Sequence, residues 1–158
     1  MTKEEVSYIA GFLDGDGCVM LQLVSRRDYV LRYQIRASIV FYQKQQHIYF
    51  LEWLKRKLTY GYIRVRNDGM AEYTIVGVEA VISILSLLKP YVRLKAKQVT
   101  LALSVLHKMP GSGRKMDEKT LLTLAKEVDK FGDLNYSKKR TNTSFVLEKH
   151  LKNKSLIP

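Results

Sequence analysis

Apolar residues return at spacings of three and four along residues 4–14, at Val6, Ile9, Ala10 and Leu13, and predict a helix that Gly15 and Gly17 break. From there the pattern changes. Residues 18–24 (CVMLQLV) and 32–42 (RYQIRASIVFY) read as strands, joined by a polar hairpin loop of Ser25, Arg26, Arg27 and Asp28. Helical spacing resumes over residues 44–58 through Ile48, Leu51, Leu54 and Leu58. Gly61 opens a strand that runs to Arg66, Asn67-Asp68-Gly69 mark a turn, and residues 72–76 form a fourth strand. Helices follow at about 78–88, ended by Pro90, and at about 95–108, ended by Pro110. Residues 111–115 (GSGRK) read as loop, and Asp117 as the N-cap of a helix that runs to Phe131 and stops at Gly132. A polar, basic stretch at residues 137–144 (SKKRTNTS) precedes a short terminal helix at about 145–151. The predicted order is αββαββα with extra C-terminal helices, an α+β fold on an antiparallel sheet, and no long motif is repeated.

The strands carry two faces. Over residues 32–42, Tyr33, Ile35, Ala37, Ile39 and Phe41 form one face, and Arg32, Gln34, Arg36, Ser38, Val40 and Tyr42 the other. The first strand turns Leu21 and Leu23 inward and Gln22, Val24 and Arg26 outward. The third turns Ile63 and Val65 inward and Tyr62, Arg64 and Arg66 outward; the fourth turns Tyr73 and Ile75 inward and Glu72 and Thr74 outward. This is the alternation of a sheet buried on one side and open on the other. A solvated face usually mixes Lys, Glu and Thr, whereas this one is rich in Arg and Gln and nearly free of Lys and Glu. Arg and Gln are the side chains that read guanine and adenine edges in the major groove, so DNA is the expected occupant.

Charge points the same way. Twenty-seven bases against 15 acids leave +12, a surplus that draws polyanions through phosphate contacts and counterion release. Residues 1–79 hold 11 bases and 9 acids (+2), and residues 80–158 hold 16 and 6 (+10), so the surplus sits in the second half. No segment resembles a membrane-surface helix with a basic face, and no apolar run is long enough to span a bilayer. The first residues lack a basic stretch leading into an apolar one, so no signal peptide is expected. The 158 residues, 46% hydrophobic, fit one domain. Its core is expected over about 4–110 and its C-terminal helices and basic segment over about 111–158. The single cysteine, Cys18, allows no intrachain disulfide and fits a reducing compartment.

The sharpest local feature is residues 9–17, IAGFLDGDG. Gly11 and Gly15 lie four apart on one helix face; glycine weakens a helix, so the pair suggests close packing of another backbone. Asp14 and Asp16 sit at the helix C-terminus, where the dipole disfavours anions. A divalent cation would compensate such an arrangement, and the flanking glycines let a backbone carbonyl join the oxygen ligands that hard cations prefer. A calcium-binding EF-hand is excluded, because its loop needs an oxygen ligand where Cys18 stands and an acid where Ser25 stands.

This segment resembles the LAGLIDADG signature of homing endonucleases, and the resemblance extends from about Tyr8 to the basic stretch near Asn142, including residues 94–98 (LKAKQ) and 134–138 (LNYSK). Single-motif members of that family, typical of organellar introns, share the αββαββα core and similar length. One motif per chain implies half an active site, hence a homodimer whose motif helices pack through Gly11 and Gly15. Asp16 would then hold Mg²⁺ with scissile phosphate oxygens, assisted by the Gly15 carbonyl, and each subunit would hydrolyse one strand of a long, nearly palindromic double-stranded site. The cuts would cross the minor groove and leave 3′ overhangs.

The same resemblance implies a water-positioning glutamine at Gln43 and an active-site lysine at Lys95. His47 stands where relatives carry a basic residue, often Arg, a departure from the pattern. Base-reading positions map onto Gln22, Val24, Arg26, Tyr29, Gln34, Arg36, Val40, Arg64, Arg66, Glu72 and Thr74, with Val24 and Val40 suited to thymine methyls. Lys138, Lys139 and Arg140 map onto phosphate clamps. Taken alone, Gly11 reads as helix packing, Lys95 as a solvated lysine and Asp14 as a brace of the helix end. The competing function is a non-catalytic one on the same scaffold, an RNA maturase or a DNA-binding regulator; an intact Asp16 with Gln43 and Lys95 favours the enzyme. No small-molecule substrate is expected. The expected location is an organelle, a chloroplast ahead of a mitochondrion, with translation in place, and a bacterial cytoplasm is also compatible.

Overall fold

The computed structural model describes residues 1–111, 113–135 and 140–155. Helix α1 (Lys3–Asp16) starts from a capping box that pairs Thr2 with Glu5: the Glu5 amide donates to Thr2 Oγ1 at 3.2 Å, and the Thr2 amide to Glu5 Oε2 at 3.1 Å. The helix continues through Gly11 and Gly15, past the expected break. Each glycine costs only about 1 kcal/mol, less than burying Val6, Ile9 and Leu13 stabilises. It ends at Gly17, an extended residue whose amide donates to the Leu13 carbonyl. A Cβ at Gly17 would lie 2.6 Å from Leu13 Cδ1 and 2.8 Å from Leu13 Cα, so this exit needs glycine.

Strands β1 (Gly17–Ser25) and β2 (Tyr33–Lys44) follow, then a 3-10 turn (Gln45–His47) and α2 (Ile48–Leu58). The turn takes the residues expected to open α2. Next come β3 (Tyr62–Val65), β4 (Met70–Val76), α3 (Val78–Leu88), α4 (Ala96–His107), α5 (Glu118–Leu134) and α6 (Ser144–Ser155). The predicted order holds throughout. The four strands form one sheet in the order β1-β2-β4-β3, with β2 and β3 both antiparallel to β4.

Two compact units make up the described chain. The first comprises residues 1–20 and 37–103, the second residues 21–36 and those from Ser104 on. In the first, Ile9 and Leu13 of α1, Ile39 and Phe41 of β2, Leu51 and Leu54 of α2, Tyr73 and Ile75 of β4 and Leu85 of α3 are fully buried. Gly61 enters β3 with φ +81°, and a Cβ there would meet the Thr74 carbonyl oxygen at 2.2 Å, so only glycine fits. In the second unit Leu21, Ile35, Val105, Leu121, Val128, Phe131 and Leu147 form the core. Asp117 caps α5 as expected, accepting from the Thr120 amide at 2.8 Å. The helix then passes Gly132 rather than stopping there.

The two-faced strand pattern needs correction at three outward positions. Ser38, Val40 and Thr74 are only 6%, 3% and 7% exposed. Val40 pairs with Thr74, and Thr74 with Tyr62, in one row across β2, β4 and β3. Short side chains inside a sheet fall below the level of longer neighbours. The opposite error occurs at Val65, expected inward and 47% exposed, because β3 is an edge strand.

Candidate active site and nucleic-acid interface

In the first unit the two acids at the end of α1 have different fates. Asp14 turns its carboxylate to the segment before α4, where Oδ2 accepts from the Arg93 amide at 2.6 Å and Oδ1 from the Lys95 amide at 3.0 Å. The Lys95 ammonium donates to the Asp14 carbonyl oxygen. The anion that the helix dipole disfavours is thus offset by two amide dipoles, with a cation beside its backbone. Asp14 is a brace, as expected, and it also positions Lys95.

Asp16 is exposed, and among the described residues no hydrogen bond or ion pair engages its carboxylate. The last carbonyls of a helix have no intrahelical donor. Here the Leu13 carbonyl takes the Gly17 amide and the Asp14 carbonyl takes Lys95, which leaves the Gly15 carbonyl next in line. Gly15, Asp16 and Gly17 line an open recess together with Tyr42, Gln43, Lys44 and Met70. Gln43 therefore shares the recess with Asp16. Its Oε1 accepts from the Lys44 amide at 3.0 Å, which fixes the side-chain amide and keeps its nitrogen as a donor. His47 does not line this recess. It stands before α2, with Nε2 at 3.2 Å from Gln46 Nε2 and its ring 6.0 Å from Tyr49. The surroundings of Asp16 also hold a half-buried thiol and a phenol. Burial pushes the Cys18 thiol above its ordinary value, against the pull of Lys95, and burial likewise raises Tyr42.

Gly11 and Gly15 lie on open helix surface, where an added Cβ would meet nothing within 4 Å. No contact among the described residues requires glycine at either place. Tyr8, on the same helix, is exposed and packs edge-on against Phe50 and Trp53 of α2, with ring centroids 6.0 and 6.1 Å away.

The outward arginines of this unit are paired. Arg64 Nη2 lies 2.8 Å from Glu72 Oε1, and Arg66 reaches Asp68 at 2.7 Å and Glu72 at 3.7 Å. Glu72 thus holds the two arginines, while Thr74, two positions further along β4, is buried. In the second unit Gln22, Arg26, Tyr29 and Arg36 are exposed, while Val24 and Gln34 are half-buried. Arg26 chelates Asp28 through Nε and Nη2 at 2.9 and 2.6 Å.

Arg140, which the resemblance implied as a phosphate clamp, spends two of its donors inside the chain. Its Nη1 donates to the Val128 carbonyl at 2.8 Å and its Nη2 to the Leu21 carbonyl at 3.1 Å. Burial lowers its pKa, with Asp129 and Asp133 opposing. Gly132 leaves room beside it: a Cβ there would stand 3.3 Å from Arg140 Nε, closer than an ordinary van der Waals contact. Lys138 and Lys139 lie outside the described residues. Arg140→Ala should cost about 1–3 kcal/mol, because two carbonyls lose their donor. It should leave the salt dependence of DNA binding unchanged, whereas removing a phosphate contact lowers the slope by about one. Urea unfolding and a salt titration of binding separate the two roles.

A family profile described as LAGLIDADG endonuclease matches residues 9–104. The chain belongs to the LAGLIDADG endonuclease family. It is 39% identical to the DNA endonuclease I-CvuI of Chlorella vulgaris over 135 residues, 85% of this chain and 82% of that protein. It is 32% identical to the DNA endonuclease I-CreI of Chlamydomonas reinhardtii over 142 residues, 90% of this chain and 85% of that one. The crystal structure of I-CvuI in complex with its target in the presence of calcium matches with a TM-score of 0.90 at 36% identity, covering 96% of this chain and 95% of the other.

Within this LAGLIDADG chain, the structure brings Gly15, Asp16 and Gln43 to one recess and ties Lys95 to the end of the same helix. It does not bring His47 there. Sequence reasoning missed Asp28 and Asp68, although each follows an outward arginine by two positions across a hairpin turn. That Arg-x-Asp spacing was the available signal.

Proposed function

We propose that this chain is a site-specific homing endonuclease that cuts both strands of a long, pseudo-palindromic DNA duplex. The observation that carries the reading is Asp16: a carboxylate at the unfavourable end of a helix dipole, without a partner among the described residues while its neighbour Asp14 is fully engaged. A cost of that kind points to a cation.

The donor set fits a hard divalent ion, Mg²⁺ in our reading, since both donors from this chain, the Asp16 carboxylate and the Gly15 carbonyl, are oxygens. Among the described residues no group of three His, Cys, Asp or Glu could hold a metal. Phosphate oxygens, water and the equivalent residues of a second copy are suited to supply the rest of the shell. When bound, the ion supplies Lewis acidity and a more acidic water. Gln43, in the recess, has an amide suited to orient water. Lys95 places a cation beside the helix end, where it stabilises charge on phosphate.

The open face at Gly11 and Gly15 supports a homodimer built on that helix surface, with one half-site read by each copy. Gln22, Arg26, Tyr29, Arg36, Arg64 and Arg66 are the accessible side chains suited to base edges, and Lys138 and Lys139 to phosphates. No described helix is long and apolar enough to cross a membrane. The two relatives and the resemblance to organellar intron products support an organelle, a chloroplast ahead of a mitochondrion.

Selection of cleavable sequences from a randomised duplex library, with and without Mg²⁺, tests the function. The expected result is a family of two-fold symmetric sites cut only with the cation. Binding without cutting under every divalent cation would sink it.

A further inference from the structure

The hairpin between β1 and β2 holds an arginine in a way that goes beyond exposure. The loop is internally closed: the Arg26 amide donates to the Arg32 carbonyl at 2.8 Å, the Tyr29 amide to the Arg26 carbonyl at 3.2 Å, and the Arg32 amide to the Tyr29 carbonyl at 2.9 Å. Arg32, with φ +59°, turns the chain back and ties its own Nη1 to the Arg27 carbonyl at 2.6 Å. On this frame Asp28 takes Arg26 by its Nε–Nη2 side, at 2.9 and 2.6 Å. The Tyr29 ring lies 5.1 Å from Arg26 Cζ, within cation–π range.

A guanidinium has five N–H groups in a fixed fork. Asp28 consumes one on Nε and one on Nη2. The terminal edge keeps one hydrogen on Nη2 and both on Nη1, which is the fork that matches the O6 and N7 acceptors of guanine. A free arginine side chain has many rotamers and grips any phosphate it meets. One held on two sides by a carboxylate and a ring presents a single edge in one direction.

We propose that Asp28 is a positioning residue that makes Arg26 a guanine reader, so that the Asp28–Arg26–Tyr29 trio sets base preference at one position in each half-site. The proposal rests on the endonuclease reading above. The carboxylate is suited to the task at any working pH, because Arg26 beside it holds Asp28 far below the ordinary range, at about 2. Asp28 also cancels the charge of Arg26 towards phosphates, so the trio contributes selectivity rather than general affinity. Neither residue lines the recess at Asp16.

The test is the cleavage profile of the full chain on a library randomised through the half-site, for wild type, Arg26→Ala, Asp28→Ala, Asp28→Glu and the Arg26→Ala/Asp28→Ala double variant. Salt titrations on a scrambled duplex accompany it. Arg26→Ala should flatten one guanine position per half-site, and Asp28→Ala should flatten the same position by about ten- to a hundredfold. Binding to the scrambled duplex should hold or tighten in Asp28→Ala, since an anion is removed. Asp28→Glu should restore part of the preference, and the double variant should match Arg26→Ala alone. Full guanine preference in Asp28→Ala overturns the proposal, as does an equal loss on every sequence, the mark of a merely structural residue. A wild type without sequence preference overturns the endonuclease reading itself, an outcome distinct from either.

Discussion

Asp16→Asn should bind its DNA site and cut neither strand. The substitution keeps the shape of the side chain and removes the charge. It disturbs no internal contact, because among the described residues the Asp16 carboxylate has no partner. Folding stability should therefore hold or rise slightly, since an anion leaves the negative end of α1. In a dimer both half-sites lose their carboxylate together, and cleavage should fall by several orders of magnitude, below detection in a plasmid-linearisation assay. Affinity should survive, and even tighten, because repulsion from the phosphates disappears. Normal cutting by the variant would remove Asp16 from the metal site. Asp14→Asn is the informative contrast: it leaves the Asp16 carboxylate intact and weakens the bonds to Arg93 and Lys95.

Gly11→Leu should separate folding from assembly. Within the chain nothing lies within 4 Å of an added Cβ, and the residue is helical, so the monomer tolerates a side chain. Gly11→Ala should stabilise a monomer by about 0.5–1 kcal/mol through helix propensity alone. Against a second copy the sign reverses. An inserted side chain at a close helix contact costs about 1–3 kcal/mol, and two-fold symmetry doubles it. The dimer constant should weaken by roughly two orders of magnitude or more, and double-strand cutting should fall with it. Sedimentation at micromolar concentration, with thermal unfolding of the same samples, decides the matter. If Gly11→Leu remains a dimer with full activity, this helix face is not the interface between copies.

How far the sequence carries depends on the range of the interaction involved. Element order was legible because periodicity is local: Val6, Ile9 and Leu13 mark α1, and alternation marks β2. The motif acids were legible as an anomaly, and Asp14 read as a brace. What it braces against was not legible, because the amides that engage it belong to residues 79 and 81 positions later. Val40 and Thr74 read as outward by alternation and are buried by neighbours across strands, which alternation does not report. The resemblance put Arg140 among the phosphate clamps, and its partners in the chain, a strand carbonyl at Leu21 and a helix carbonyl at Val128, were not legible. Gly15 read as a helix stop, and the helix passes it because burial elsewhere on its face outweighs a glycine's cost.

The pairing of Arg26, Arg64 and Arg66 with Asp28, Glu72 and Asp68 bears on how such a protein would travel along a chromosome. A guanidinium held by a carboxylate has less to gain from a passing phosphate than a free one. The pull on arbitrary sequence then falls mainly to the second half of the chain, which carries +10 against +2 in the first. On the proposed reading, grip and scrutiny would fall to different parts of the polypeptide. A scanning molecule would slide on its lysines, and its dwell time would lengthen only where a base edge offers an arginine more than phosphate does.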